Sequence, residues 1–198
     1  RGKAQFQMTG KGESFDPEIA KALFSGKGGL RVTEAQFASL DVGKMATQAL
    51  GESLVKVMDQ VPLLKGKQLS KAGPIESQYE VISSDFTLQK GLFDSPNFVA
   101  KAVAQKGIDL KGRTQVELKN CGLSAQWQVI DTYNLTKARD LSVEQGGVKI
   151  DHLLARGNDP VIFPIEVGGS CFSPQVNYGA VSGALIKVAL ENITRGAT

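Results

Sequence analysis

The sequence predicts an α+β protein: a curved antiparallel sheet, built as a meander or groove, with amphipathic helices packed against part of it. Three observations carry that expectation. In Asp85–Leu88, Arg113–Leu118 and Ser124–Val129, apolar and polar residues alternate with the period of a strand that buries one face. Turn residues fall at Lys90-Gly91, Asp94-Ser95-Pro96, Lys106-Gly107 and Asn120-Cys121-Gly122, at the spacing of short strands joined in sequence. Between residues 42 and 61 the period lengthens. There Val42, Met45, Ala49, Leu50, Leu54, Val57, Met58 and Val61 recur every three or four positions, marking a helix of about five turns.

From the start of the chain, Lys3–Met8 alternates with Ala4, Phe6 and Met8 on one side, which predicts a half-buried strand. Gly10–Ser14 reads as a turn, and Ser14 or Asp16 can cap a short helix, Pro17–Phe24, with Pro17 at its first position. Ser25–Gly29 is a Gly-rich turn ending that helix. Leu30–Phe37 returns as a strand, but Ala35 and Phe37 fall out of phase with Leu30 and Val32, which predicts a bulge near Glu34. Asp41 is the candidate cap of the long helix, Pro62 stops it, and Gly66–Gly73 is a polar connector. The strand array fills residues 77 to about 130. Thr132–Gly147 has no sustained period, Val148–Leu154 can form one strand, and Pro160–Val167 alternates through Val161, Phe163, Ile165 and Val167. A final helix is expected from about Val176 to Asn192, with Val181, Ala184, Leu185 and Val188 as its stripe. The chain thus divides into 1–75, a sheet core 76–175 and a helical end 176–198, within one domain.

With 198 residues, 41% of them hydrophobic and 22% charged, the chain can bury a core without a metal or disulfide scaffold. A net charge of +3, with basic and acidic residues interspersed, leaves no nucleic-acid footprint. Lys65, Lys67 and Lys71 form the densest basic patch; a solvated loop accounts for it, and anionic lipid headgroups would also suit it. No apolar run reaches the roughly 20 residues of a bilayer span. The chain opens at Arg1 almost directly in a strand pattern, which reads as a piece of a longer protein whose anchor or export signal lies outside it.

No reactive constellation emerges. His152 is the only histidine, and neither a Gly-x-Ser-x-Gly elbow nor a cysteine signature accompanies it. One His and two Cys cannot close a zinc site, and no Asp-x-Asp-x-Asp-Gly calcium loop occurs. Gly26-Lys27-Gly28-Gly29 lacks the spacing of a phosphate cradle. The expectation is therefore no catalytic residues, no cofactor and no metal. Cys121 and Cys171 each lie at a turn beside a strand. They are either two buried thiols or a disulfide, which would close a loop of about fifty residues and stabilise the fold by about 4 kcal/mol. Phe6, Phe86, Leu88, Phe98, Val116, Leu118, Trp127 and Phe163 occupy strand positions. Each is a candidate either for core packing or for contact with something oily, because both demand the same residues.

The layout of residues 76–129 and 160–174 resembles the C-terminal region of the AsmA family, envelope proteins of Gram-negative bacteria. The residues that carry it are Tyr79, Phe86-Thr-Leu-Gln-Lys-Gly91, Gly112-Arg-Thr-Gln-Val-Glu-Leu118 and Leu123-Ser-Ala-Gln-Trp127, closed by Pro164-Ile-Glu-Val-Gly-Gly169 and Pro174. Upstream, Gly12-Glu-Ser14, the short helix, the Gly-rich turn, the strand and the long helix follow the family's order. Glu76 or Ser77 stands where the family commonly has Thr, Cys171 falls where no cysteine is expected, and Thr132–Leu154 has no counterpart. The resemblance implies a periplasmic, inner-membrane-anchored protein without enzymatic activity, whose sheet carries phospholipid between membranes or, failing that, docks envelope proteins. An oxidising periplasm would also suit a Cys121–Cys171 disulfide.

Overall fold

The computed structural model describes residues 2–12, 16, 24–36, 56, 59, 78–133, 160–177, 179, 183 and 187. Among these residues, eight strands follow one another in both sequence and space. They are β1 (Lys3–Lys11), β2 (Ser25–Gln36), β3 (Gln78–Gln89), β4 (Leu92–Ala102), β5 (Asp109–Glu117), β6 (Gly122–Asp131), β7 (Val161–Ser170) and β8 (Ser173–Val176). Every neighbouring pair is antiparallel, so the sheet is an uninterrupted meander from β1 to β8. Pairing of β2 with β3, from Gly26 opposite Leu88 to Gln36 opposite Gln78, joins residues 1–75 directly to the sheet core.

The α+β expectation is corrected by this architecture. Of the described residues 74% lie in strands and 5% are helical, and no helical element is found among them. The helical positions, Lys56, Asp59, Gly179, Gly183 and Lys187, fall inside the two long stretches expected as helices; the other positions of those stretches lie outside the described residues, apart from Val176 and Asn177. Val176 ends β8 instead of starting a helix. Pro17–Phe24 lies outside them too except for Phe24, which is not helical, as does Val148–Leu154. Much of the correction comes from residues expected in turns that are strand. Gly26–Gly29 belongs to β2, where glycines at inward positions leave no apolar mark for a period of two to register. Asp94-Ser95-Pro96 lies within β4, because a bulge accommodates the proline in the interior of the sheet.

That bulge is well defined. Ser83 pairs with Val99 and Thr87 with Asp94, so three residues of β3 face four of β4. Its loosened backbone is closed by side chains: Asn97 accepts from the Asp85 N–H at 2.9 Å and donates to the Asp85 carboxylate at 2.8 Å, while the Ser84 and Ser95 hydroxyls bond each other on the opposite, buried face. The bulge expected near Glu34 is corrected: the register of β2 on β3 is the same on both sides of it, so no extra residue is inserted. Glu34 takes a φ of 56° and drops out of the ladder between the pairs Thr33–Val81 and Ala35–Tyr79. Lys90 (φ 50°) and Gly91 (φ 75°) make the two-residue hairpin that joins β3 to β4, with the positive φ at both positions that such a turn requires. Pro164 lies in β7 at a position that β8, paired only over Val167–Ser170, does not reach.

The two faces of the sheet differ in polarity, although Leu92, Val99 and Ile162 stand exposed among the polar residues of the outer one. Across β3 to β7, Ile82, Ala100, Leu110, Val129 and Phe163 stand opposite one another and are all buried. The other face carries Gln5, Arg31, Asp85, Lys111, Arg113, Gln126, Gln128 and Glu166, an apolar-in, polar-out division usual for an antiparallel sheet with one solvated side.

Candidate functional site

Burial along the apolar face changes from one end of the strands to the other. At the end marked by Ala35, Tyr79, Ala102, Ile108 and Val161, every one of these residues is at most 3% exposed. The middle row, Ile82 through Phe163, is also closed from solvent. At the opposite end Leu88, Phe93, Val116 and Leu123 stand opposite one another across β3, β4, β5 and β6, and all four are only half-buried. The apolar face is therefore sealed at one end and half-open at the other.

Aromatic rings on this face sit over glycines. Phe86 of β3 stacks on Phe6 of β1 (centroids 5.5 Å apart) and on Phe93 of β4 (4.9 Å), reaching across β2. It can do so because Gly28 lies beneath it: a Cβ there would come within 2.7 Å of the Phe86 ring. Phe98 and Trp127 stack at 5.4 Å across Gly112, which pairs with both residues. Gly112 has a φ of 157°, and a Cβ on it would overlap the carbonyl oxygen of Gln126. The Trp127 indole N–H donates to the Thr114 hydroxyl at 2.9 Å, which satisfies its polar atom on the apolar face.

The eight candidate apolar residues are thus sorted by the structure. Phe86, Trp127 and Phe163 are buried; Leu88, Phe98 and Val116 are half-buried. Phe6, on the edge strand β1, is 63% exposed, with β2 and the Phe86 ring beside it, so it is not a core residue. One expectation is corrected. Leu118 is not a strand residue: β5 ends at Glu117, and Leu118 begins the β5–β6 turn at 38% exposure. Phe93 and Leu123 are not among the candidate apolar residues of the sequence, although Leu123 opens the Leu123–Trp127 motif and both share the half-open row. Phe93 follows a turn glycine at the start of its strand, too early for an alternation to have built up. Their signal was available in pairing: once the Lys90-Gly91 hairpin is recognised, Phe93 must face Leu88.

Cys121 and Cys171 form a disulfide, so the open question between thiols and bridge resolves in favour of the bridge. It joins the β5–β6 turn to the β7–β8 turn at the half-open end, and the Cys171 N–H donates to the Cys121 carbonyl at 2.8 Å beside it. On the polar face, Asp94 receives a two-pronged bond from Arg113, at 2.8 Å for each prong. That hydrogen bond holds the Asp94 carboxyl below its ordinary value of 3.8. Shallow troughs on the same face lie over Gly29 (Gln5, Gln7, Arg31, Ser83, Asp85) and over Gly112 (Val99, Lys111, Gln126, Gln128, Pro164). Both are open to water. Among the described residues no group of three His, Cys, Asp or Glu could hold a metal ion, and no helix is long and apolar enough to cross a membrane. His152, Lys65, Lys67 and Lys71 lie outside the described residues. No family model, curated protein or solved structure matches the chain.

Proposed function

We propose that the chain is a lipid-binding module whose half-open apolar row receives acyl chains. The observation that carries this reading is the contrast within one face: Tyr79 and Phe163 are 1% exposed, whereas Leu88, Phe93, Val116 and Leu123 remain half-open a few residues along the same strands. Burial of apolar surface is non-directional, so a row of aliphatic and aromatic side chains with no polar group of its own selects for oily chains and not for a particular headgroup. The buried rows hold the sheet together, and the ligand-contacting set narrows to Leu88, Phe93, Val116 and Leu123, with Phe6 at the edge. The likeness to AsmA-type proteins extends the proposal to a periplasmic module, anchored to the inner membrane through another part of the protein, that binds or transfers phospholipid. A disulfide belongs in such an oxidising compartment.

Mass spectrometry of lipid extracted from the purified chain tests this. Phospholipid is expected to accompany the protein and to be lost from Leu88→Asp and Val116→Asp, which place a charge in the row. Protein free of lipid, or lipid retained by both variants, would reject the reading. The second reading is a structural or protein-docking module of the envelope, favoured by the sealed Tyr79–Val161 end. It predicts no bound lipid and capture of a folded protein partner instead.

A further inference from the structure

Three hairpin turns lie together at the half-open end of the meander: Lys90-Gly91 between β3 and β4, 118–121 between β5 and β6, and 171–172 between β7 and β8. They are bonded to one another in series. The Leu118 N–H donates to the Gly91 carbonyl at 2.8 Å, tying the first tip to the second, and the Cys171 N–H and the disulfide tie the second to the third. Within the second tip, Asn120 donates to Glu117 at 2.9 Å and accepts from the Gly122 N–H at 2.8 Å. Hairpin tips usually move independently. These form one fixed rim.

The rim exposes what a hairpin tip normally hides. Phe172 is 90% exposed, Leu92 39% and Leu118 38%, whereas the described turn at the sealed end, 103–108, exposes no large apolar side chain. Each aliphatic anchor has a lysine beside it, Lys90 near Leu92 and Lys119 next to Leu118, and exposed Lys11 ends β1 at the same end of the sheet. Among the described residues that make or border these three turns, Glu117 is the acidic one, and Asn120 donates to it. Apolar side chains standing proud of a rigid rim, with lysines whose stems can extend beside them, match the chemistry of an anionic lipid–water interface. A second protein copy fits less well, since a stable dimer buries about 800 Å² on each partner and three separated side chains fall well short of that.

We propose that this rim docks the module on an anionic phospholipid bilayer, with Phe172, Leu118 and Leu92 entering the interface and Lys90, Lys119 and Lys11 meeting headgroup phosphates. The choice of lipid as partner rests on the reading above, and the docked pose turns the half-open row Leu88–Leu123 toward the membrane that would supply its ligand. The test is sedimentation of the disulfide-intact chain with phosphatidylglycerol–phosphatidylethanolamine vesicles and, separately, with pure phosphatidylcholine vesicles. Binding is expected to the anionic vesicles above all and to weaken with added salt. Phe172→Ser should lower the partition coefficient about tenfold, the cost of withdrawing one aromatic side chain from an apolar medium. Lys90→Glu with Lys119→Glu should remove the preference for phosphatidylglycerol, and in Phe172→Trp a blue shift on adding vesicles should report entry of residue 172. Protein left in the supernatant, or sedimentation unchanged by Phe172→Ser, overturns the proposal. So does a dimer, seen by light scattering, that Phe172→Ser dissociates, because the rim would then belong to a second copy. Docking and lipid carriage fail separately: lipid-free protein that sediments through Phe172 retains the docking surface and rejects the cargo.

Discussion

Adjacent glycines in β2 offer a sharp test of how the sheet is packed. A Cβ added at Gly28 would overlap the Gln7 carbonyl oxygen of β1, approach Phe86 Cζ at 2.7 Å and Met8 Cα at 3.1 Å. Two of those three atoms are backbone, and the Phe86 ring is held between Phe6 and Phe93, so no single rotamer change relieves the overlap. Overpacking of this kind costs about 1–3 kcal/mol, and disturbing the ring stack adds roughly 0.5–1.5 kcal/mol. Gly28→Ala recovers about 0.4–1 kcal/mol through the less flexible unfolded chain, leaving a net loss of about 2 kcal/mol. At Gly29, one residue on and on the polar face, the nearest atom to an added Cβ is Asp85 Oδ1 at 3.5 Å, an ordinary contact. Gly29→Ala should therefore be neutral to stabilising, by up to about 1 kcal/mol. Urea titrations followed by fluorescence of Trp127, the only tryptophan, would measure both. The neighbours should differ by about 2–3 kcal/mol. Equal effects, within about 0.5 kcal/mol, would refute the claim that Gly28 is the seat of the Phe86 ring.

Three further outcomes are expected. Replacing the disulfide by Cys121→Ser with Cys171→Ser should cost about 4 kcal/mol for a loop of this length, or less if the unfolded chain retains structure; mass mapping without reductant would first show the linked peptides. Phe163→Ala, at a fully buried position, should cost about 3–5 kcal/mol in the same urea titration, against under 2 kcal/mol for half-buried Leu88→Ala. Asp94→Asn tests the Arg113 pair through its pH dependence. Because the folded state lowers the Asp94 pKa, the pair stabilises above the unfolded value near 3.8, and that contribution disappears as the pH falls through the lowered folded value. The gap in thermal midpoint between parent and variant should thus be present at neutral pH and close in acid; a gap that widened below pH 3.8 would contradict the assignment.

What was legible in the sequence follows from which residues carry a period. Ser124–Val129 and Val161–Val167 place an apolar side chain at every second position, and both form strands with Ala125, Trp127, Val129, Phe163 and Ile165 buried. In Leu30–Phe37 two apolar residues fall out of step near Glu34, and the backbone takes a positive φ at that residue without the extra residue of a bulge. The misread places share a cause. Gly26 and Gly28 occupy inward positions of β2 without a side chain to announce it, their space being filled by Phe24 and Phe86 from elsewhere. Pro96 is a turn signal locally and a bulge residue globally; only the pairing on both sides of β4 distinguishes the two.

The candidate site was legible only in its chemistry. Phe86, Leu88, Val116 and Phe163 are equivalent under a period of two, yet Phe163 is sealed and Leu88 half-open, because exposure depends on how far along the strand a residue lies and not on which face it takes. The position of the disulfide supplies the missing coordinate. A bridge between Cys121 and Cys171 must join two turns on the same side of the meander, so it marks the end at which β5, β6, β7 and β8 reverse. The half-open row and the exposed Phe172 both lie at that end. A cross-link needed only for stability would serve equally well at the sealed end, where the buried rows already hold the strands. Set among the turns, it instead ties together the end of the sheet that carries the half-open row and Phe172.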